Sequence, residues 1–281
     1  MKKILLLIAM AGVLMGTLSC SDDDGPKRGD GVFTVNTPMI NHMVNTSNGQ
    51  VLGIANTHNK LTFDTVKHTA SLELRYHDGG IEKTLKLDNI TAKPKRLGLY
   101  ELYSSSDANF SGYVDIYQGP SMCYRYTTPE GIRIISTLPE ISFLDTHTLI
   151  SYDDTTKATT MDNVMYQFTI SPSTSTAVIE VMPIEHAKDL KYFYNITAPS
   201  APMTVTREGY LITGQNIATR AKYRSWTDSV GTATDKYTDN YPFKTFNAVL
   251  NLEKDSINIT FMMGSSATVV ATGKTYRESA Y

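Results

Sequence analysis

Apolar residues along this chain recur mostly at every second position, in short runs separated by turn residues. The runs Gln50 to Ile54, Ser71 to Tyr76, Leu85 to Ile90, Leu97 to Tyr103, Gly112 to Tyr117 and Met122 to Thr127 alternate in this way or are continuously apolar. A period of two puts successive side chains on opposite faces of a strand. Between the runs lie Asn48-Gly49, Asp78-Gly79-Gly80, Gln118-Gly119-Pro120 and Thr128-Pro129-Glu130-Gly131, residue types that supply the backbone angles of tight turns. Helix-period stretches are nearly absent. Ile184 to Tyr194 could form a helical turn, but its neighbours argue for strand. Strands this closely spaced, with no helices for crossovers, pair antiparallel. The stable products are a sandwich or a barrel.

The pattern occurs twice. Asp88-Asn89-Ile90-Thr91-Ala92, preceded by Leu72-Glu73-Leu74, matches Tyr194-Asn195-Ile196-Thr197-Ala198, preceded by Val178-Ile179-Glu180-Val181. Upstream, His42-Met43-Val44 matches His147-Thr148-Leu149-Ile150, and Leu61-Thr62-Phe63 matches Tyr166-Gln167-Phe168. Downstream, the run from Phe110 to Ile116 matches Phe246 to Leu252, and Ile132 to Ser136 matches Thr268 to Thr272. The matches keep their order across the chain, which marks a duplicated unit. The prediction is an all-β protein of two tandem, internally duplicated antiparallel β-sandwich or barrel-like domains. The first covers residues 31–138 and the second residues 139–281, with the boundary near Leu138-Pro139-Glu140, where proline interrupts the strand pattern. One merged pseudo-symmetric sheet is the alternative.

Between Gly98/Gly209 and Phe110/Phe246 the second unit gains about 25 residues, lying roughly from Asn216 to Phe243 and expected to emerge as a loop. This added segment holds Arg220, Tyr223, Arg224, Trp226, Tyr237 and Tyr241, and Trp226 is the only tryptophan in the chain. Aromatic rings mixed with arginine, aspartate and asparagine suit sugars: the rings stack on C–H faces while the polar groups bond hydroxyls. These six residues are the candidate ligand contacts. The competing expectation is that Trp226 plugs the end of a sandwich and the tyrosines cover an edge, since large aromatics most often pack.

Composition narrows the chemistry. Charge is nearly balanced, 26 Lys+Arg against 28 Asp+Glu, with no basic patch of the kind phosphate binding needs, so nucleic acid is not an expected partner. Cys20 and Cys123 are the only cysteines, too few for a disulfide framework or a thiolate metal site. Cys123 is expected as a buried strand residue. The histidines, His42, His58, His68, His77, His147 and His186, lack metal-ligand spacing. His42 and His147 are repeat partners, which favours a shared structural role. No nucleophile elbow, P-loop or dinucleotide fingerprint is present. Neither a cofactor nor a catalytic residue is predicted, and an enzyme is the less favoured class.

The amino terminus carries an address. Met1-Lys2-Lys3, an apolar run from Ile4 to Met15 and a small residue before Cys20 have the parts of a secretory signal. The run is too short to span a bilayer as a helix. Residues 1–19 are therefore expected to be a signal peptide and 20–30 a flexible tether. Leu18-Ser19-Cys20 resembles the lipobox of bacterial lipoproteins, with Thr17 where leucine is usual. Ser21-Asp22-Asp23-Asp24 is similar to the acidic signal that sends lipoproteins of the Bacteroidota to the outer face of the outer membrane. The resemblance covers residues 1–24 only. It implies lipidation at Cys20, anchoring in the outer membrane and a position facing the cell exterior. Asp64-Thr65-Val66, Asp154-Thr155-Thr156, Asp228-Ser229-Val230 and Asp255-Ser256-Ile257 are similar to sites where that phylum attaches O-glycans.

Three functions are in play. A surface-anchored module for glycans or another nutrient is preferred. A structural or adhesive, fimbrillin-like subunit is the alternative, with Ala267 to Thr272 as a strand to be donated or replaced. A haem carrier or an enzyme ranks last. The expected partners are the membrane, through the Cys20 anchor, and carbohydrate or other surface proteins.

Overall fold

The computed structural model describes residues 31–78, 80–96, 98–116, 121–153, 158–225, 235–264 and 266–275. The signal peptide and tether expected for residues 1–30 lie outside these, as do Trp226 and the motifs at Thr155 and Ser229.

Eight strands form the first unit: β1 (Val32–Asn45), β2 (Val51–Asp64), β3 (Thr69–Asp78), β4 (Ile81–Arg96), β5 (Leu99–Ser104), β6 (Phe110–Asp115), β7 (Ser121–Thr127) and β8 (Ile132–Thr137). They pair in chain order as an antiparallel meander. The sheet closes when β8 returns to β1, with Met43 opposite Ile134 and Ile40 opposite Thr137. Closure leaves no edge along that seam for another chain to join. Burial alternates as the sequence requires: in β7, Met122, Tyr124 and Tyr126 face in, while Cys123 and Arg125 are half-buried on the outside. Cys123 was expected to be buried; the parity of its strand turns it outward instead.

Only Leu138 and Pro139 separate β8 from the second unit, which begins with β9 (Glu140–Tyr152). Its closed ring continues through β11 (Met165–Ser171), β12 (Thr176–Met182), β14 (Lys191–Val205), β15 (Gly209–Ile217), β18 (Phe243–Asn251), β19 (Ser256–Met263) and β20 (Ala267–Thr275), which pairs back with β9. Four shorter strands sit on this ring: β10 (Ala158–Asp162), β13 (Ile184–His186), β16 (Arg220–Ser225) and β17 (Lys236–Thr238). The ambiguous run from Ile184 to Tyr194 is strand, turn and strand. Every matched sequence pair falls on equivalent strands: β1 with β9, β2 with β11, β3 with β12, β4 with β14, β6 with β18 and β8 with β20. The two predicted units are thus tandem eight-stranded antiparallel barrels. Because β20 is bonded on both sides, by β19 and β9, it is not a free strand to donate.

The barrels lie against one another. Residues 39–44 of β1 are buried on both faces, because their outward side is covered by the second barrel. Ile40 and Ile135 pack into the second barrel's core. Arg125 reaches Leu252 O at 2.8 Å and the Asp255 carboxylate at 2.5 Å, and Arg133 bonds Arg207 O at 2.8 Å and pairs with Glu253. His42 is fully buried in this seam. Its Nε2 lies 2.7 Å from Thr206 O, and its ring meets Tyr210 edge-on at 5.9 Å. Its repeat partner His147 is exposed and paired with Asp162. The shared structural role expected for the two does not hold, since only one of them is covered by the neighbouring barrel.

Burial holds the pKa of His42 below the ordinary imidazole value, and it does the same to His186 in the second barrel. The unfolded chain takes up these protons near pH 6.5, while the folded protein resists doing so. Below that pH the unfolded state binds more protons, so stability is complete above about pH 6.5 and is lost as pH falls toward the lowered folded values. The melting temperature is expected to decline between about pH 7 and pH 5.5, and an unchanged value across that range contradicts this.

Candidate functional site

The added segment does not remain a loop. In the first barrel, β5 takes residues 90–96 of β4 as its partners on that side. In the second, β15 pairs with residues 203–205 of β14, and β16 folds back onto residues 191–197 of the same strand. The run Arg220-Ala221-Lys222-Tyr223-Arg224 has a period of two, so a strand forms with Ala221 and Tyr223 inward and the basic residues outward. Strand β17 then adds to β16. The product is a small sheet extension with one face on the core and the other open.

Inward, Phe193 is fully buried and meets the Tyr223 ring at a tilt at 5.9 Å and the Tyr241 ring edge-on at 4.7 Å. Tyr241 is 7% exposed, donates to Asp189 Oδ2 at 2.5 Å and lies 5.5 Å from the His186 ring. Burial and the neighbouring Asp189 carboxylate raise its pKa. Thr219 donates to Tyr241 O at 2.7 Å and fixes the end of the segment. Tyr241 and Tyr223 therefore anchor the extension and do not form its outer surface.

Outward, β14 carries a register shift between Phe193 and Asn195. Ordinary alternation puts Tyr192 and Tyr194 on the open side, with their rings 5.2 Å apart at 78°, and the bulge adds Asn195 to the same face, opposite Lys222. Arg224 is opposite Tyr192, Lys222 is opposite Asn195 and Tyr237, and Arg220 is opposite Thr197. Tyr194 is 39% and Tyr237 57% exposed. Arg220 lies over the Tyr237 ring at 5.3 Å, and Lys222 lies over Tyr194 at 5.9 Å while pairing with Asp235 at 2.7 Å. Next to the rings runs a polar row across β14, β12 and β11. In it Glu180 accepts from Asn195, Thr197 and Gln167, each at 3.2 Å.

Of the six residues proposed from sequence, Arg220, Arg224 and Tyr237 share this outer face, Tyr223 and Tyr241 lie beneath it, and Trp226 falls outside the described residues. Tyr192, Tyr194, Lys222, Asn195 and Glu180 were not anticipated. A legible signal existed: Tyr192-Phe193-Tyr194 has the polar-tipped, apolar, polar-tipped order of a strand with one face in the core.

A second concavity, about 470 Å³, lies between β9, β19 and β20 and is lined by Asp145, His147, Asp162, Asn163, Asn258 and Lys274, among others. Its lining among the described residues includes no phenylalanine, tyrosine or tryptophan. Among the described residues, no group of three or more histidine, cysteine or carboxylate side chains is placed to hold a metal ion. Of the O-glycan-like motifs, Thr65 is closed to modification in the folded state: it is buried, with its hydroxyl bonded to Gly31 N at 2.9 Å and Gly31 O at 3.1 Å. Ser256 is among the residues that line the concavity.

Fold and face together define a tandem eight-stranded β-barrel protein with an open aromatic and basic surface on its second barrel. No protein-family model matches the chain, and no curated protein matches it in sequence. Among solved structures, it is similar to a protein of Bacteroides fragilis provisionally described as an outer membrane protein, with 16% identity and a TM-score of 0.34. The alignment covers 87% of this chain and 97% of that one.

Proposed function

We propose that the protein is a lipid-anchored module of the cell surface that binds glycans. The observation carrying this reading is the open face on which Tyr192, Tyr194 and Tyr237 stand beside the hydrogen-bonded Glu180 row. Rings of this kind meet the C–H faces of sugars, and the polar side chains beside them, Asn195 and Thr197 opposite β16, bond hydroxyl groups. The face is open rather than enclosed, which suits a chain laid across it more than a small molecule taken into a pocket.

The address of residues 1–24 supports the location. With the anchor at Cys20, the acidic Asp22-Asp23-Asp24 tether presents the barrels outward from the outer membrane. Cys20→Ser is expected to move the protein from the membrane to the soluble fraction, and a variant that stays in the membrane fraction contradicts lipidation. For binding, retention of the intact protein on a panel of insoluble and gel-embedded polysaccharides is the direct test. Tyr194→Ala/Tyr237→Ala is expected to weaken retention about tenfold or more. A variant retained as well as the wild type would remove the face from the account.

A further inference from the structure

We propose that the glycan taken by the β14–β16–β17 face is acidic, bearing carboxylate or sulfate groups and lying along β16. This rests on the glycan reading above and narrows it to a substrate class. Arg220, Lys222 and Arg224 are alternate residues of one strand, so they share a face at intervals of about 7 Å. Their cross-strand partners Thr197, Asn195 and Tyr192 confirm that this is the outward face. The inward positions of the same strand are Ala221 and Tyr223. A row of cations therefore runs parallel to the rings of Tyr192 and Tyr194 on one side and Tyr237 on the other.

The pairing of these cations points the same way. Lys222 is held by Asp235. Among the described residues neither Arg220 nor Arg224 forms an ion pair, a condition shared with Arg207 but not with Arg75, Arg125 or Arg133. Two guanidinium groups thus flank a neutralised lysine, about 14 Å apart along the strand. A guanidinium fork matches a carboxylate or sulfate in two parallel hydrogen bonds, and its place beside a ring lets one sugar unit meet both. Apart from Asp235, which pairs with Lys222, the carboxylates of the face lie off this line. Glu180 is on β12 and is occupied by Asn195, Thr197 and Gln167. Glu185 is on β13, opposite Tyr192. A chain running along β16 meets the arginines and avoids both, whereas one running across the strands toward β12 does not.

The test uses the immobilised intact protein with two acidic polysaccharides, alginate and chondroitin sulfate, and two neutral ones, xylan and laminarin, at low and high sodium chloride. The expected result is tighter binding of an acidic polymer, weakening as salt rises. Arg220→Gln/Arg224→Gln should lose about tenfold or more, while Lys60→Gln on the first barrel changes nothing. If neutral polymers bind as tightly as acidic ones, or the double arginine variant binds an acidic polymer like the wild type, the inference falls and the glycan reading stands. An equal loss in Lys60→Gln also overturns it, as a general charge effect. If none of the four polymers binds, both fall.

Discussion

Replacing Gly209 by Ala is expected to unfold the second barrel near room temperature or to lower its melting temperature steeply. Gly209 opens β15 with φ +152°, a conformation that residues with a side chain rarely adopt, and an added Cβ would stand 2.2 Å from Leu250 O and 3.1 Å from Leu252 N. Backbone atoms cannot swing aside as a flexible side chain can. Strain and overlap together should cost about 3 kcal/mol or more, a large part of the stability of a domain. The same site carries the turn whose Thr206 O and Arg207 O receive His42 and Arg133 from the first barrel, so the seam should loosen too. Gly53→Ala is the control: φ is +111°, but nothing lies within 4 Å of the new atom. Only the backbone strain remains there, about 1 kcal/mol. Equal melting temperatures for the two variants would contradict this reading of the β15 entry.

The second large effect joins stability to the candidate site. Phe193→Ala removes a fully buried ring that contacts both Tyr223 and Tyr241, at an expected cost of about 3–5 kcal/mol. These contacts are what the extension has beneath it, so β16 should lose its seat even where the barrel still folds. Glycan retention is therefore expected to fall together with stability. Phe63→Ala, in the separate core of the first barrel, should destabilise by a similar amount and leave retention intact below its melting temperature. If the two variants lose retention alike, β16 does not depend on Phe193 as described.

Much of the fold was legible because strands are written locally. The alternation of Met122-Cys123-Tyr124-Arg125-Tyr126 and the turn at Thr128-Pro129-Glu130-Gly131 are readable within a few residues. The duplication was legible because Asn-Ile-Thr-Ala recurs on β4 and β14 and the flanking matches keep their order. Closure was not. The β1–β8 and β9–β20 seams join strands at opposite ends of each unit, and no local pattern separates a closed barrel from an open sandwich. The seam between barrels left a trace that is harder to read: Met39 to Val44 is buried without alternation, which marks a strand covered on both sides.

For the candidate site, the sequence located the segment but not its sidedness. The difference between the two repeats points to residues 216–243, yet which tyrosines face out depends on parity. Tyr223 and Tyr237 are both in the segment; pairing with Phe193 sends the first inward, and pairing with Lys222 sends the second outward. Tyr192 and Tyr194 escaped notice because they lie on a strand common to both repeats and outside the added segment, and the bulge that brings Asn195 onto their face has no sequence mark. The expectation of a loop failed for a readable reason, since Arg220 to Arg224 already alternates as a strand does.

Hydrogen–deuterium exchange of the intact protein, with and without the polysaccharide that retains it best, tests the central claim most directly. Slowed exchange is expected in residues 191–197, 220–225 and 236–238, with no change around Asp145, His147 and Asp162. Protection confined to that second concavity or to the first barrel, with β14, β16 and β17 unchanged, would contradict the assignment of the ligand to the aromatic face.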